Sequence, residues 1–241
     1  MPEDFLLWSE PLVRKLSRED GEVVEVARFS SARPGPVPEP WEPYFIQRGN
    51  APTEYRVVEV DGAKALEAVA DEGGSAVLRK IRVDPRIHPV IEWRWRVPRP
   101  ENGAPVSVVS PVSAMARISI AFHGDADKLD VVDRAHLRLA KALTPNGLPY
   151  ATLVYVWLHG VPAGTVVPSP YSERVRLVVA ESGKGRLGQW INLRRNVLED
   201  YRRAFGEEPG DIVAVGVMTD PGDDGSRRRA YYGDITFRSA Q

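Results

Sequence analysis

Ile212-Val-Ala-Val-Gly-Val-Met-Thr-Asp-Pro-Gly-Asp-Asp-Gly-Ser-Arg-Arg-Arg-Ala-Tyr-Tyr-Gly-Asp-Ile-Thr-Phe237 closes the chain, and its reading decides the fold. Residues 212–218 are an apolar, strand-like run, residues 219–225 an acidic turn, and residues 230–237 a second alternating run. Asp, Gly and Pro accept the backbone angles of tight turns, and Asp there bonds its own backbone. Val, Ile, Tyr and Phe suit the pleated surface on either side. Two strands joined this way, with Asp234 held among aromatics, are how many ligand-binding β-sandwiches end. The two are expected to lie side by side.

Working outward, the same rhythm of short strand and turn recurs. Residues 55–60 break at Asp61-Gly62, a hairpin-type turn, and residues 65–70 at Asp71-Glu-Gly-Gly74. Further strands are expected at 76–83, 90–97, 117–122, 152–158 and 175–180, giving at least nine with the terminal pair. Residues 152–158 are apolar on both faces, which places that strand centrally and covered on both sides. Two segments read as helices: 125–143, with apolar residues at three- and four-residue spacing, and 196–205, with Val197, Tyr201 and Phe205 on one stripe before Gly206. Strands predominate, so the chain is mainly β: a β-sandwich with one or two short helical insertions.

Ahead of the strand region, Val23, Val24 and Val26 suggest one strand. Five prolines between Pro34 and Pro43 then enforce extended backbone and remove ladder donors. The expected organisation is an N-terminal extension and proline-rich strap over 1–40, followed by a single sandwich domain over 41–241.

Composition narrows the function classes. Lys+Arg 32 against Asp+Glu 33 leaves a formal charge of −1, so nothing favours a polyanion and no nucleic-acid partner is expected. Cysteine is absent, which removes disulfides, thiolate nucleophiles and Cys-ligated metals. Residues 1–8 carry early acids and too short an apolar run for a signal peptide. No stretch approaches the roughly 20 apolar residues of a membrane helix. A soluble, cytoplasmic chain is expected, or a periplasmic or cell-envelope one if it is a processed form.

Several separated motifs then add up. Trp93-Arg-Trp-Arg-Val97 follows Pro89, and Pro149-Tyr-Ala-Thr-Leu-Val-Tyr-Val-Trp157 comes next. Trp190 precedes Asp200-Tyr201, Phe205-Gly206 and Pro209, and Gly216-Val-Met-Thr-Asp220 and Tyr231-Tyr-Gly-Asp-Ile-Thr-Phe237 end the series. In order and spacing the set resembles the bacterial family of domain of unknown function 3047, from about Trp41 to Phe237. The resemblance implies a jelly-roll sandwich similar to galactose-binding-like domains and carbohydrate-binding modules, and implies no reaction. The chain departs from that pattern twice. Pro111-Val-Ser-Ala-Met-Ala116 lacks the adjacent acids members carry there, and the usual Asp-Thr-Asp-Asn run appears as Asp220-Pro-Gly-Asp-Asp224.

Candidate residues follow from local chemistry. Tyr232, Asp234, Asp220 and Arg117 are the expected ligand-binding set, with Asp234 assigned to the face of Tyr232 and Thr236. Asp234 needs a partner if enclosed: Arg117 or a ligand hydroxyl. Calcium takes several oxygen ligands at flexible geometry, and Asp220, Asp223, Asp224 and Asp234 would supply them if the flanking strands are neighbours. Trp93 and Trp95 share one strand face and Arg94 and Arg96 the other; the indoles are either a stacking platform or core, and burial favours core. Gly183-Lys-Gly-Arg-Leu-Gly188 matches G-x-G-x-x-G, but no helix follows, so it reads as a hairpin loop. His123 and His159, at strand ends, form with Tyr150 and Arg117 the set an acid/base enzyme would draw on.

Three functions remain open at this stage. The leading one is a non-catalytic binding module for a glycan or glycan-like ligand. The second is a polysaccharide lyase or hydrolase. The third is a structural subunit whose N-terminal segment docks on a protein partner.

Overall fold

The computed structural model describes residues 16, 21–45, 51–71, 73–99, 114–135, 148–170, 172–221 and 226–240. Their strands run β1 Val23–Ala27, β2 Gly35–Pro36, β3 Glu42–Tyr44, β4 Glu54–Val60, β5 Ala63–Ala70, β6 Ser75–Val83 and β7 Val90–Arg96. There follow β8 Arg117–Phe122, β9 Ala151–Leu158, β10 Val166–Pro168, β11 Val175–Ser182, β12 Ile191–Asn196, helix α1 Val197–Phe205, β13 Ile212–Thr219 and β14 Arg228–Arg238.

They form two seven-stranded sheets. The first has the order β12-β7-β14-β5-β4-β2, with β1 also on β14; the second has β10-β11-β9-β8-β13-β6-β3. All pairings are antiparallel except β9 with β11. The expected strand at 117–122 is reproduced residue for residue, and the others to within a few residues of their ends. The turn Asp61-Gly62 joins β4 to β5 with Val60 opposite Ala63, and both turn residues have positive φ, 51° and 73°. That is the backbone twist a two-residue hairpin requires.

The terminal pair corrects the reading of the opening stretch. β13 pairs with β6 and β8, whereas β14 pairs with β5, β7 and β1. The two strands therefore stand in opposite sheets and do not pair as a hairpin. Both are apolar enough to be central strands, and a central strand draws its partners from elsewhere in the chain. The Gly183–Gly188 loop is corrected in the same way, since it passes from β11 in the second sheet to β12 in the first.

Trp93 and Trp95 of β7 point inward and meet Tyr155 and Trp157 of β9 across the sheet interface. Ring centroids are 5.0 Å apart for Trp93–Tyr155 and 6.1 Å for Trp95–Trp157. All four rings are buried, as the core reading required. Each such side chain contributes about 2–3 kcal/mol through burial. The outer face of β9 is covered too: Val154, Val156 and Leu158 join Leu177 and Val179 in a second buried cluster.

The proline-rich stretch supplies an edge strand to each sheet, β2 on β4 and β3 on β6. Edge positions suit Pro36 and Pro43, which lack a ladder donor. Helix α1 starts at Asn196, whose side chain accepts the Glu199 N–H at 3.1 Å, and stops at Gly206 in the left-handed region with φ 70°. The other expected helix is short in the described part: a 3-10 turn at Ala126–Lys128 and a helical start at 131–135; residues 136–147 lie outside the described residues. Among the described residues no helix is long and apolar enough to cross a membrane.

Candidate functional site

Period-two alternation in β7 sends Ile91, Trp93 and Trp95 into the core and Glu92, Arg94 and Arg96 to the outer face of the first sheet. On β12, register places Asn192 opposite Arg94 and Arg194 opposite Glu92. On β14 the alternation breaks. Tyr232 faces Trp95 while Ile235 faces Trp93, so three steps on β14 match two on β7. The extra residue is a β-bulge at Gly233-Asp234. It turns Ile235 and Phe237 inward after Tyr232 and leaves Asp234 and Thr236 outward.

Asp234 is thus on the opposite face from Tyr232, a correction of the sequence-based assignment. Its partner is also different. Ser30 donates its backbone N–H to Asp234 Oδ1 at 2.8 Å and its hydroxyl to Oδ2 at 2.5 Å. The bulge marks where β5, which pairs with β14 up to Tyr232, gives way to β1, which pairs from Ile235. The carboxylate accepts the N–H that would otherwise lack a ladder partner in that gap.

Around the bulge, Glu92, Trp93, Arg94, Asn192, Leu193, Arg194, Asp234 and Thr236 line an open groove of about 330 Å³. Arg194 also borders two further hollows. One, of about 320 Å³, lies beside the start of α1 with Arg195, Asp200 and Arg203; the other, of about 240 Å³, lies against Glu22, Arg238 and Ser239. Arg194 is common to the lining of all three. Beside the groove, Arg94 lies over the Trp190 ring at 4.7 Å and Arg96 over Tyr231 at 5.7 Å, with Trp190 and Tyr231 6.4 Å apart. Arg96 also pairs with Asp61 at 3.0 Å and donates to the Gly188 carbonyl at 3.0 Å. Burial, followed by the charge of Glu67, raises the Tyr231 pKa, so its hydroxyl stays protonated at neutral pH.

Tyr232, Arg117 and Asp220 do come together, but inside the sandwich and away from the groove. Tyr232 donates to the Met218 carbonyl at 2.6 Å, accepts the Arg117 N–H at 3.2 Å and sits 2.8 Å from the Thr219 hydroxyl. Arg117 pairs with Asp220 at 2.7 Å. Burial lifts the Tyr232 pKa well above that of a free phenol. Thr53, Tyr55 and Ser75 extend the same network between the sheets, through bonds of 2.6–3.1 Å. It satisfies buried polar groups and joins the two layers.

Of the suggested calcium ligands, the two described ones stand on different sheets. Asp220 lies at the end of the second sheet and Asp234 on the outside of the first, while Asp223 and Asp224 lie outside the described residues. Among the described residues no group of three or more His, Asp or Glu is arranged to hold a metal ion.

The acid/base set is likewise divided. His123 and Tyr150 are at the start of β9; His159 and Arg117 are at its far end. Eight extended residues separate the two histidines by roughly 25 Å.

Two arrangements went unread in the sequence. Asp200, on the first turn of α1 and 4 % exposed, accepts from Arg195 at 2.5 and 2.8 Å, from Arg203 at 2.8 Å and from the Tyr155 hydroxyl at 3.0 Å. Glu207 accepts from Arg174 at 2.6 Å, Tyr201 at 2.9 Å and Tyr150 at 3.2 Å. Burial alone would raise the Glu207 pKa, but the bonds from Arg174 and Tyr201 outweigh it and hold it below the usual carboxylate value. The groove residues were within reach: the Trp93-Arg-Trp-Arg96 alternation already put both arginines on the wet face. What hid Asp234's side was the bulge, which has no sequence signal beyond Gly233.

Two facing sheets with a mixed aromatic and aliphatic core and an open groove over one outer face define a jelly-roll β-sandwich domain. The chain belongs to the family described as protein of unknown function (DUF3047), whose model matches residues 39–236. Solved structures similar in fold include the K1 cleaved adhesin domain of Lys-gingipain from Porphyromonas gingivalis W83. It is 9% identical, with 92% of this chain and 100% of that one covered, at a TM-score of 0.37. A β-1,3-glucan-binding module (CBM6) from Bacillus halodurans is 13% identical over 83% and 95% of the two chains, at 0.31. The mannan-recognising module TmCBM27 is 12% identical over 92% and 100%, at 0.31. A comparison with curated proteins found no match.

Proposed function

We propose that this protein is a non-catalytic glycan-binding module that receives its ligand along the outer face of the first sheet. The observation that carries this reading is the groove over β12, β7 and β14, with its two adjoining hollows sharing Arg194. An open groove admits a chain that runs past it, where a closed pocket admits only a small molecule. Its lining pairs donors with acceptors: guanidinium at Arg94 and Arg194, carboxylate at Glu92 and Asp234, amide at Asn192, hydroxyl at Thr236. Vicinal sugar hydroxyls both donate and accept, and that mixture meets both needs.

Affinity electrophoresis through gels containing single polysaccharides tests the reading. Retardation by at least one polysaccharide is expected. The double variant Asn192→Ala/Arg194→Ala should abolish it while keeping the β-rich circular dichroism spectrum. If no polysaccharide retards the protein, or if the double variant is retarded as strongly as wild type, this reading is wrong.

A further inference from the structure

Arg94 differs from every other charged residue of the groove. Glu92 pairs with Arg194 at 3.4 Å and with Arg238 at 2.7 Å. Asp234 is held by Ser30. On the flank, Asp61 holds Arg96, and Glu67 holds Arg229 at 3.4 Å. Each of these four carboxylates already has a partner. Arg94 has none: among the described residues it makes no hydrogen bond or ion pair, and its one contact of this kind is with the Trp190 ring.

Its position is nonetheless defined. The side chain folds across Gly233, where an added Cβ would stand 2.4 Å from Arg94 Cγ and 2.6 Å from its Nε. Glycine at 233 therefore leaves the space the arginine occupies, and Trp190 backs the guanidinium plane. A planar fork with unengaged donors, held by an indole in the lining of a groove, suits bidentate capture of a carboxylate or sulfate. Because the fork is already oriented, little freedom remains to be lost when the anion arrives.

We infer that Arg94 is a specificity residue for an acidic group, so that the glycan taken by this groove carries uronate carboxylates or sulfate esters. This inference rests on the glycan-binding reading above and narrows it. The acid would sit at Arg94, with neighbouring hydroxyls within the span of Asn192, Asp234 and Thr236.

The test is isothermal titration of the full chain with three probes: polygalacturonate, a sulfated galactan and neutral mannan, each against wild type and variants. The expected result is binding to one or both acidic polymers at least tenfold tighter than to mannan. Which acidic polymer binds separates the carboxylate from the sulfate. Arg94→Ala should weaken acidic binding at least tenfold and mannan binding much less. Arg94→Lys, which keeps the charge and loses the fork, should recover only part of it. Gly233→Ala leaves the charge in place and displaces the guanidinium, and should weaken acidic binding in the same way. Melting curves confirm that each variant is folded. Equal or tighter binding of mannan, or acidic binding indifferent to Arg94→Ala, overturns the acidic specificity and leaves the glycan reading standing. Binding of none of the three, joined to the absence of retardation by any other polysaccharide, overturns both.

Discussion

Replacing Asp200 by alanine should be among the most damaging single changes at a polar position of this protein. The carboxylate is buried and accepts four bonds, two from Arg195, one from Arg203 and one from Tyr155. The Arg203 side chain is about half exposed, so its bond adds little, about 0–1 kcal/mol. The Tyr155 hydroxyl lies fully inside the core, and leaving it without an acceptor costs about 1–3 kcal/mol. Removing one member of a buried ion pair costs about 3–5 kcal/mol; Arg195 is a quarter exposed and can recover some hydration, which moves its share to the low end. Together these give a loss of about 4–7 kcal/mol.

At about 2–4 °C per kcal/mol for a chain of this size, the melting temperature should fall by roughly 8–28 °C. The informative measurement is a double-mutant cycle with Tyr155→Phe, read by urea unfolding followed by circular dichroism. Tyr155→Phe alone should destabilise, because the carboxylate loses a donor. Added to Asp200→Ala it should restore about 1–3 kcal/mol, because the orphaned hydroxyl is then gone. Additivity of the two losses within about 0.5 kcal/mol would show that the hydroxyl and carboxylate are not coupled, and the reasoning would fail.

Three further outcomes follow from the same structure. Glu207 has a pKa depressed below the usual 4.5, so its stabilising contribution is complete above that value and is lost as pH falls through the lower folded value. Glu207→Gln should therefore melt below wild type at neutral pH, with the gap closing in acid. Ser30→Ala removes the hydroxyl bond to Asp234 but keeps the backbone one, so stability should drop by about 1 kcal/mol or less, with faster amide exchange in β1 and none of that change in β4. Gly62→Ala places a side chain at φ 73° in the β4–β5 turn and should cost about 1 kcal/mol in thermal unfolding, although nothing lies within 4 Å of the new methyl.

How much of this was legible varied with the range of the signal. The β8 strand, the 196–205 helix with its glycine stop, and the inward Trp93 and Trp95 were all readable. So was the outward pair Arg94 and Arg96, the first of which lines the groove. β12 was not expected, because Ile191-Asn-Leu-Arg-Arg-Asn196 is an edge strand with one weakly apolar face. Asp234 lines the groove, but on the face opposite to the one the sequence suggested, since an inserted residue inverts every side chain beyond it. Tyr232, Arg117 and Asp220 meet, and their hydrogen bonds join the two sheets.

By itself the amino-acid order determined the extended segments, their inward faces and the indoles at their centre. These depend on a two-residue period and on turn residues between strands, both of which are local. Only the folded chain decided the partners: that β13 and β14, neighbours in sequence, belong to opposite sheets, and that β1 completes β14 from more than two hundred residues away. Strand pairing is a contest among all segments for the same hydrogen bonds and the same apolar contacts. Its result, down to the bulge that exposes Asp234 beside Arg94, depends on every strand at once.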